Sequence, residues 1–325
     1  MNDNRKNDLI YAINSNFFSR TFSLTSQIRV TISNLIQVGK SNGPNEVWKS
    51  ILCGISKGKV KIVNSDKRTW PSSYSNVIIV KDFIYNIPQE LLNKLNKSHL
   101  LLGPNIDFML EDNYKYLNFF ENKKILVPCD WVKTFFIKKF KMSPQSIEVW
   151  SSGVDINYWA PHLYKKKEKK NTVIIYQKST KLANLVNQYY ILLKDLGFTP
   201  VVLKYGEYKQ YKYRHYLDKS RFLVWLGGTE SQSFAQFQAW AMDVPTLILE
   251  VNEYIDDQIR YEASSSPYLT TQTGAFFLQN SSIKETLELW LERINTFRPR
   301  NWVLNGHKDS DAVIQLQKIY DNWQS

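Results

Sequence analysis

RFLVWLGGTESQSFAQFQAWAMDVPTLILE, residues Arg221–Glu250, sets the reading of the whole chain. Phe222–Leu226 is a continuous apolar run of strand length, and Val244–Leu249 is a second one after Asp243. Gly227-Gly228-Thr229-Glu230-Ser231 between them supplies turn residues and cap hydroxyls. Phe234, Phe237 and Ala241 then recur at helical spacing, which predicts a helix over Ser231–Met242. Strand, polar turn, helix and strand in thirty residues form a βαβ unit on a buried parallel sheet. Such a unit binds ligands at the carboxyl ends of its strands, where the start of the helix offers unpaired backbone N–H groups to an anion.

The totals fit two such units. At 325 residues the chain is long enough for two domains with full cores. An apolar content of 43% and an aromatic content of 14% exclude wholesale disorder. No apolar run approaches the roughly 20 residues of a membrane helix. The first twenty residues lack the apolar centre of a signal peptide, and two cysteines, Cys53 and Cys129, make no disulfide framework. A reducing cytoplasm is the expected location. The net charge of +12 favours anionic partners, whether nucleotide phosphates, an anionic membrane surface or nucleic acid, and does not choose among them. A lysine-rich solvated surface accounts for the charge equally well. The densest run, Lys165–Lys170, lies between two apolar patterns and reads as a flexible linker or a solvated strand approach sooner than as a binding tract.

Working outward along the chain, Leu9, Ile10 and Ile13 allow a short helix in an otherwise unassigned N-terminal region. Ile28–Val38 has the look of a strand, Gly39–Asn45 that of a glycine-rich loop, and Glu46–Ile55 that of a helix ending near Gly58. Val60–Val63, Val77–Val80, His99–Leu102 and Ile125–Val127 are short strand candidates. Trp131–Phe140 is a helix with Asp130 as its cap, and Ile147–Trp150 a last strand of this half. After the lysine run the pattern restarts, with strands at Thr172–Tyr176 and Pro200–Lys204 and helices at Leu182–Leu196 and Tyr208–Leu217. Asp309–Trp323 is amphipathic, with Asp309 or Ser310 as cap and Val313, Leu316, Tyr320 and Trp323 on one face. The expectation is an α/β protein of two Rossmann-like domains facing a central cleft, residues 1–160 and 161–325, with the C-terminal helix packing back on the first.

Two segments resemble a known family. "IEVWSSGVDINYWAP", Ile147–Pro161, is similar to the interdomain signature of GT-B glycosyltransferases, a strand leading to a Gly-Val-Asp turn and an aromatic-x-Pro. "TESQSFAQFQAWAMDVPTLI", Thr229–Ile248, is similar to the nucleotide-sugar segment of the family 4 retaining enzymes (glycosyl transferases group 1), which carries Glu, seven residues, Glu, then Ala, a small residue and Pro. "VPCDWV" (Val127–Val132), "SNGPNEVWKSIL" (Ser41–Leu52) and "SSSPYLTTQTGAFF" (Ser264–Phe277) resemble that family's other loops less specifically. The resemblance implies a retaining transfer of sugar from a nucleotide-sugar donor to a glycan or lipid-linked acceptor, as in polysaccharide biosynthesis. It implies no metal or cofactor. A peripheral contact with an anionic membrane, at its inner face, fits the basic charge.

The resemblance also assigns residues. Glu230 orients the donor sugar, and Gln238 stands where the family carries the second Glu, which meets the ribose. An amide there keeps hydrogen bonding and loses the charge. Ser231, Gln232, Ser233 and Phe234 bring backbone amides to the diphosphate, with Ser231 and Ser233 in place of the family's glycines. Without a metal, the leaving diphosphate needs Lys or Arg. Lys178 and Lys181 after the Thr172–Tyr176 strand are the candidates, with Lys204 a third, and the family's Arg-then-Lys pair is not evident. Gly43, Pro44 and Asn45 are candidates on the acceptor side. For each of these residues a plain reading stands beside the functional one: an acidic helix cap for Glu230, solvated surface for the lysines, a turn for the glycine loop.

Other signals carry less. Gly39-Lys40-Ser41 lacks the first glycine of a P-loop, since Asn34 stands there. Asp309-Ser310-Asp311 has the spacing of a metal motif but opens a helix. His99, His162, His215 and His307 form no zinc spacing, and His99 reads as structural. Tyr205, Tyr208, Tyr211, Tyr213 and Tyr216, interleaved with Lys209, Lys212 and Arg214, resemble a nucleic-acid or glycan surface, with a solvated amphipathic helix as the plainer reading. Beside the transferase stand two rivals: a catalytically idle protein of the same fold that binds nucleotide sugar or glycan, and, ranked below it, a charge-driven nucleic-acid binder.

Overall fold

The computed structural model describes residues 10–13, 43–57, 62–64, 76–79, 93, 99–103, 122–161 and 171–324. The Ile28–Val38 strand, the start of the glycine-rich loop with its Gly39-Lys40-Ser41, His162 and the lysine run at 165–170 lie outside the described residues. The chain divides into two compact units.

The first unit holds a six-stranded sheet of β1 (Ile10–Ile13), β2 (Ile62–Asn64), β3 (Asn76–Ile79), β4 (His99–Leu102), β5 (Lys123–Val127) and β6 (Ile147–Val149), in the order β2-β1-β3-β4-β5-β6. Every neighbouring pair is parallel. The expected helix at Leu9–Ile13 is therefore corrected: Ile10–Ile13 is an interior strand with partners on both sides. β-Branched and aromatic residues there fit a pleat better than a lone helical turn. Leu100, Leu101, Leu102, Ile125, Leu126 and Val127 are almost wholly buried, as strands covered on both faces must be.

Helix α1 spans Gly43–Lys57, so Gly43, Pro44 and Asn45 form its first turn instead of a loop; proline is well suited to a first helical turn. Helix α2 spans Asp130–Phe140 and buries Val132, Phe135, Phe136 and Phe140 at helical spacing. Its cap is Cys129, not Asp130, and no side chain caps it.

The C-terminal helix α8 (Asp309–Gln324) belongs to this first unit. It begins at Asp309 itself, where a cap at Asp309 or Ser310 was expected. Val313, Leu316 and Tyr320 are buried along one face, and Trp150 Nε1 donates to Ala312 O at 2.8 Å. His99 meets Trp323 edge to face, with ring centroids 5.3 Å apart. At Gly54 of α1, a Cβ would stand 2.4 Å from Asp309 O, so the two helices touch backbone to backbone.

The second unit is a five-stranded sheet of β7 (Thr172–Gln177), β8 (Thr199–Lys204), β9 (Ser220–Leu226), β10 (Thr246–Leu249) and a later edge strand, Gly274–Phe277. A small antiparallel hairpin, β11 (Glu253–Asp256) and β12 (Ile259–Glu262), precedes that edge strand, which is thus β13. The sheet order is β13-β10-β9-β7-β8, with every pair parallel.

Helices α3 (Ala183–Asp195), α4 (Gln210–Lys219), α5 (Phe234–Ala241), α6 (Ile283–Arg293) and α7 (Pro299–Leu304) cover this sheet. The strands alternate between two cores as their period of two requires. Ile174, Tyr176, Leu223, Trp225 and Ile248 join Tyr213, Leu217, Phe237 and Ala241 of α4 and α5 on one face. Val173, Ile175, Phe222, Val224, Leu247 and Leu249 join Val186, Tyr189, Leu193, Leu287 and Trp290 of α3 and α6 on the other. The doubly wound α/β reading of Arg221–Glu250 therefore holds, in β9, α5 and β10. Among the described residues no helix is long and apolar enough to cross a membrane.

Candidate functional site

In the second sheet the chain starts at β7, runs out to β8, then returns to the other side of β7 as β9. The loops leaving β7 and β9 consequently diverge to opposite faces and leave a crevice at their carboxyl ends, the usual ligand position in such sheets. Lys178 follows β7 directly, and its N–H donates to Leu226 O, the last residue of β9, at 2.9 Å. Gly227 then passes so close that a Cβ there would lie 2.7 Å from Trp225 Nε1 and 3.3 Å from Lys178 Cβ. Three residues on, Glu230 donates its N–H to Ser264 O at 2.8 Å, which anchors it against the Ser264–Ser266 loop.

These anchors bring the Lys178 ammonium into an ion pair with the Glu230 carboxylate. Glu230 is buried, at 7% exposure, while the Lys178 side chain keeps 29% of its surface. Burial pushes the Glu230 carboxyl above the usual carboxylate range, and the Lys178 charge and hydrogen bond pull it back only in part. Glu230 lies four residues before α5 and is not a helix cap.

Beneath the pair, Tyr176 stacks on Trp225 with centroids 4.3 Å apart and shares a 2.6 Å hydroxyl hydrogen bond with Tyr208. Burial, and then the neighbouring Tyr208 and Tyr213, drive the Tyr176 phenol far above its ordinary range, so it stays neutral.

Helix α5 starts at Phe234, later than the sequence suggests. Ser231, Gln232 and Ser233 form the approach, and Ser233 is the cap residue with a left-handed backbone, φ 63°. Its hydroxyl is buried without a hydrogen-bond partner among the described residues and does not cap the helix, and the cap hydroxyls expected within Gly227–Ser231 fall before the cap position. A non-glycine residue in this region costs on the order of 1 kcal/mol. The first amides of α5 have no partner within the helix, as at any helix start.

Gln238 sits on α5 at 2% exposure. Lys181 is exposed; its N–H donates to Ser179 Oγ, and its side chain joins no ion pair among the described residues. Lys204 ends β8, exposed.

The residue that sequence reasoning missed is Gln236, fully buried on α5. Its Nε2 donates to Ser265 O at 3.1 Å, and its Oε1 accepts from Ser266 Oγ at 2.7 Å. Ser265 Oγ in turn donates to Leu249 O at 2.7 Å. The loop carrying the partner of Glu230 is thus fastened to both α5 and β10. Two glutamines two residues apart in an apolar helix, Gln236 and Gln238, were the available signal.

No protein-family model and no curated protein matches the sequence. Solved structures do match. A glycosyltransferase from Rickettsia africae ESF-5 aligns over 98% of both chains with a TM-score of 0.51 and 11% identity. Sucrose-phosphate synthase from Thermosynechococcus elongatus aligns over 97% of this chain and 98% of its own, with a TM-score of 0.53 and 9% identity. TarM of S. aureus, solved in complex with Fondaparinux, alpha-GlcNAc-glycerol and UDP, aligns over 77% of this chain and 55% of its own, with a TM-score of 0.51 and 13% identity. At these identities the likeness is one of fold. Two Rossmann-like units, each built on a parallel sheet, give this chain the GT-B architecture.

Proposed function

We propose that the protein is a glycosyltransferase that moves a sugar from a nucleotide-sugar donor to a glycan or lipid-linked acceptor, with retention and without a metal ion. The observation that carries this reading is the Lys178–Glu230 pair at the crevice between the ends of β7 and β9. The second unit, with Val154–Lys308, supplies the donor side and the first unit, which takes in α8, the acceptor side, with Gly43, Pro44 and Asn45 at the start of α1 as candidates there. One similar structure supports the class, since TarM was solved with UDP and alpha-GlcNAc-glycerol.

In this mechanism the bond from the donor's anomeric carbon to the diphosphate oxygen breaks, a bond from that carbon to an acceptor hydroxyl oxygen forms, and the hydroxyl proton leaves with the diphosphate. Negative charge grows on the departing oxygen as the first bond breaks. Lys178, with Lys181 as a second cation, meets that charge beside the amides of Ser231, Gln232, Ser233 and Phe234 at the start of α5. These groups do the work that a metal ion does elsewhere, so activity survives chelation. Glu230 accepts from the sugar hydroxyls, and its pairing with Lys178 favours the ionised, accepting form against the effect of burial. Gln238 hydrogen-bonds the ribose. The test is a thermal-shift screen against UDP-, GDP-, ADP- and CMP-sugars, since a bound donor raises stability by mass action. One or more sugars should stabilise the protein, and none doing so would refute the reading.

A second reading is a catalytically idle binder. It is favoured by Gln238, an amide in the place of a carboxylate, and by the left-handed Ser233 where glycine would be unstrained. Calorimetry showing donor binding, with neither hydrolysis nor transfer across an acceptor panel, would select it.

A further inference from the structure

We propose that Tyr205 is the platform on which the base of a nucleoside diphosphate donor stacks, an inference that rests on the donor-site reading above. Aromatic side chains in this unit are mostly interior: Tyr176, Tyr189, Tyr213, Trp225, Phe237 and Trp240 are all at 1% exposure or less. Tyr205 is 54% exposed, at the carboxyl end of β8. Its N–H donates to Gln177 O at 2.9 Å, which extends the β7–β8 pairing by one residue and fixes the side chain at the edge of the crevice.

Lys178 Nζ stands over the Tyr205 ring, 5.1 Å from its centroid. The cation that pairs with Glu230 therefore also holds this ring, and the ring's exposed surface is left for another flat group. Exposure alone does not single Tyr205 out, because Tyr211 is equally exposed at 55%. The contact with Lys178 does.

Position along the sheet supplies the second argument. β9, β7 and β8 are consecutive neighbours, so the end of β8 lies about 10 Å from the end of β9 at the usual strand spacing. Crossing that distance one meets the start of α5, then Lys178, then Tyr205: amides and cation for the diphosphate, followed by an aromatic face. A ribose bridges a phosphate and a base over such a span. Stacking on an aromatic ring is tolerant of base identity, because every base has a π face. Tyr205 thus contributes affinity for the nucleoside, and the choice of base falls to other groups.

The experiment is calorimetry of UDP, ADP and GDP binding to the full chain and to Tyr205→Ala and Tyr205→Phe, with thermal melting of each variant to report an intact fold. Tyr205→Ala should weaken the nucleoside diphosphate that binds best by about 5- to 100-fold, the range of one stacked base, with Tyr205→Phe close to wild type. Wild-type binding that Tyr205→Ala leaves unchanged overturns this inference alone and makes the ring a sugar platform or bare surface. Tyr205→Phe as weak as Tyr205→Ala also overturns it, since the hydroxyl and not the ring would then matter. A wild-type protein that binds none of the three overturns the donor-site reading and this inference together.

Discussion

Lys178 and Glu230, 52 residues apart in the sequence, form an ion pair at the adjacent ends of β7 and β9. The pairing follows from topology. A strand that leaves the sheet and returns on the far side of its starting point brings two loop ends together, and each end here carries one charge.

That pair makes a prediction about stability against pH. Because burial holds the Glu230 carboxyl above its ordinary value, the folded protein binds this proton more tightly than the unfolded chain. The contribution to stability is complete below the ordinary glutamate value and is lost as pH rises through the raised one. Glu230→Gln, which removes the titration, should therefore melt at or above the wild-type temperature at about pH 7.5, with the advantage closing by about pH 4. Lys178 remains part-exposed in this variant and keeps its hydration. Melting curves across that range check the sign.

Gly54 gives a prediction opposite to helix propensity. Alanine in a helix interior is ordinarily favoured over glycine by about 1 kcal/mol. Here a Cβ would fall 2.4 Å from both Asp309 O and Val313 Cγ2, one of them backbone. Gly54→Ala should destabilise by about 1–3 kcal/mol through overpacking, read as a lower denaturant midpoint.

Arg300 on α7 ties three segments of the second unit together. Its guanidinium donates to Trp159 O at 3.0 Å, to Ile156 O at 3.4 Å and to Ala241 O at the end of α5. A cation at a helix carboxyl end also meets the dipole. Arg300→Ala should cost about 2–3 kcal/mol, the range for lost hydrogen bonds to a charged group. Arg300→Lys should recover part of that, because one ammonium cannot span three carbonyls as a planar fork does. Chemical denaturation of the three proteins measures it.

Much of this architecture was legible because continuous apolar runs and helical spacing report local structure directly. β9, α5 and β10 emerge from Arg221–Glu250, and His99–Leu102 matches its strand residue for residue. Ile10–Ile13 was not legible: four residues carry no period, and their partners lie some fifty or more residues downstream in β2 and β3. The late start of α5 was hidden because Ser231 and Ser233 are good cap residues by type, while the positive φ of Ser233 is a property usually signalled by glycine. At the candidate site, Glu230 and Lys178 stood out one at a time, each beside a strand end. Their contact depends on strand order, which no local pattern encodes. Gln236 was passed over for Gln238 because its role is to fasten a loop that lies far ahead in the sequence.

The proposed role of Glu230, holding the donor sugar, is read by calorimetry with a nucleotide sugar and its parent nucleoside diphosphate on wild type and Glu230→Ala. Glu230→Ala should bind the nucleotide sugar about 10- to 100-fold more weakly, the loss of a charge-assisted hydrogen bond, bind the nucleoside diphosphate nearly as before, and transfer no sugar. Donor binding and sugar transfer both unchanged in Glu230→Ala would contradict it.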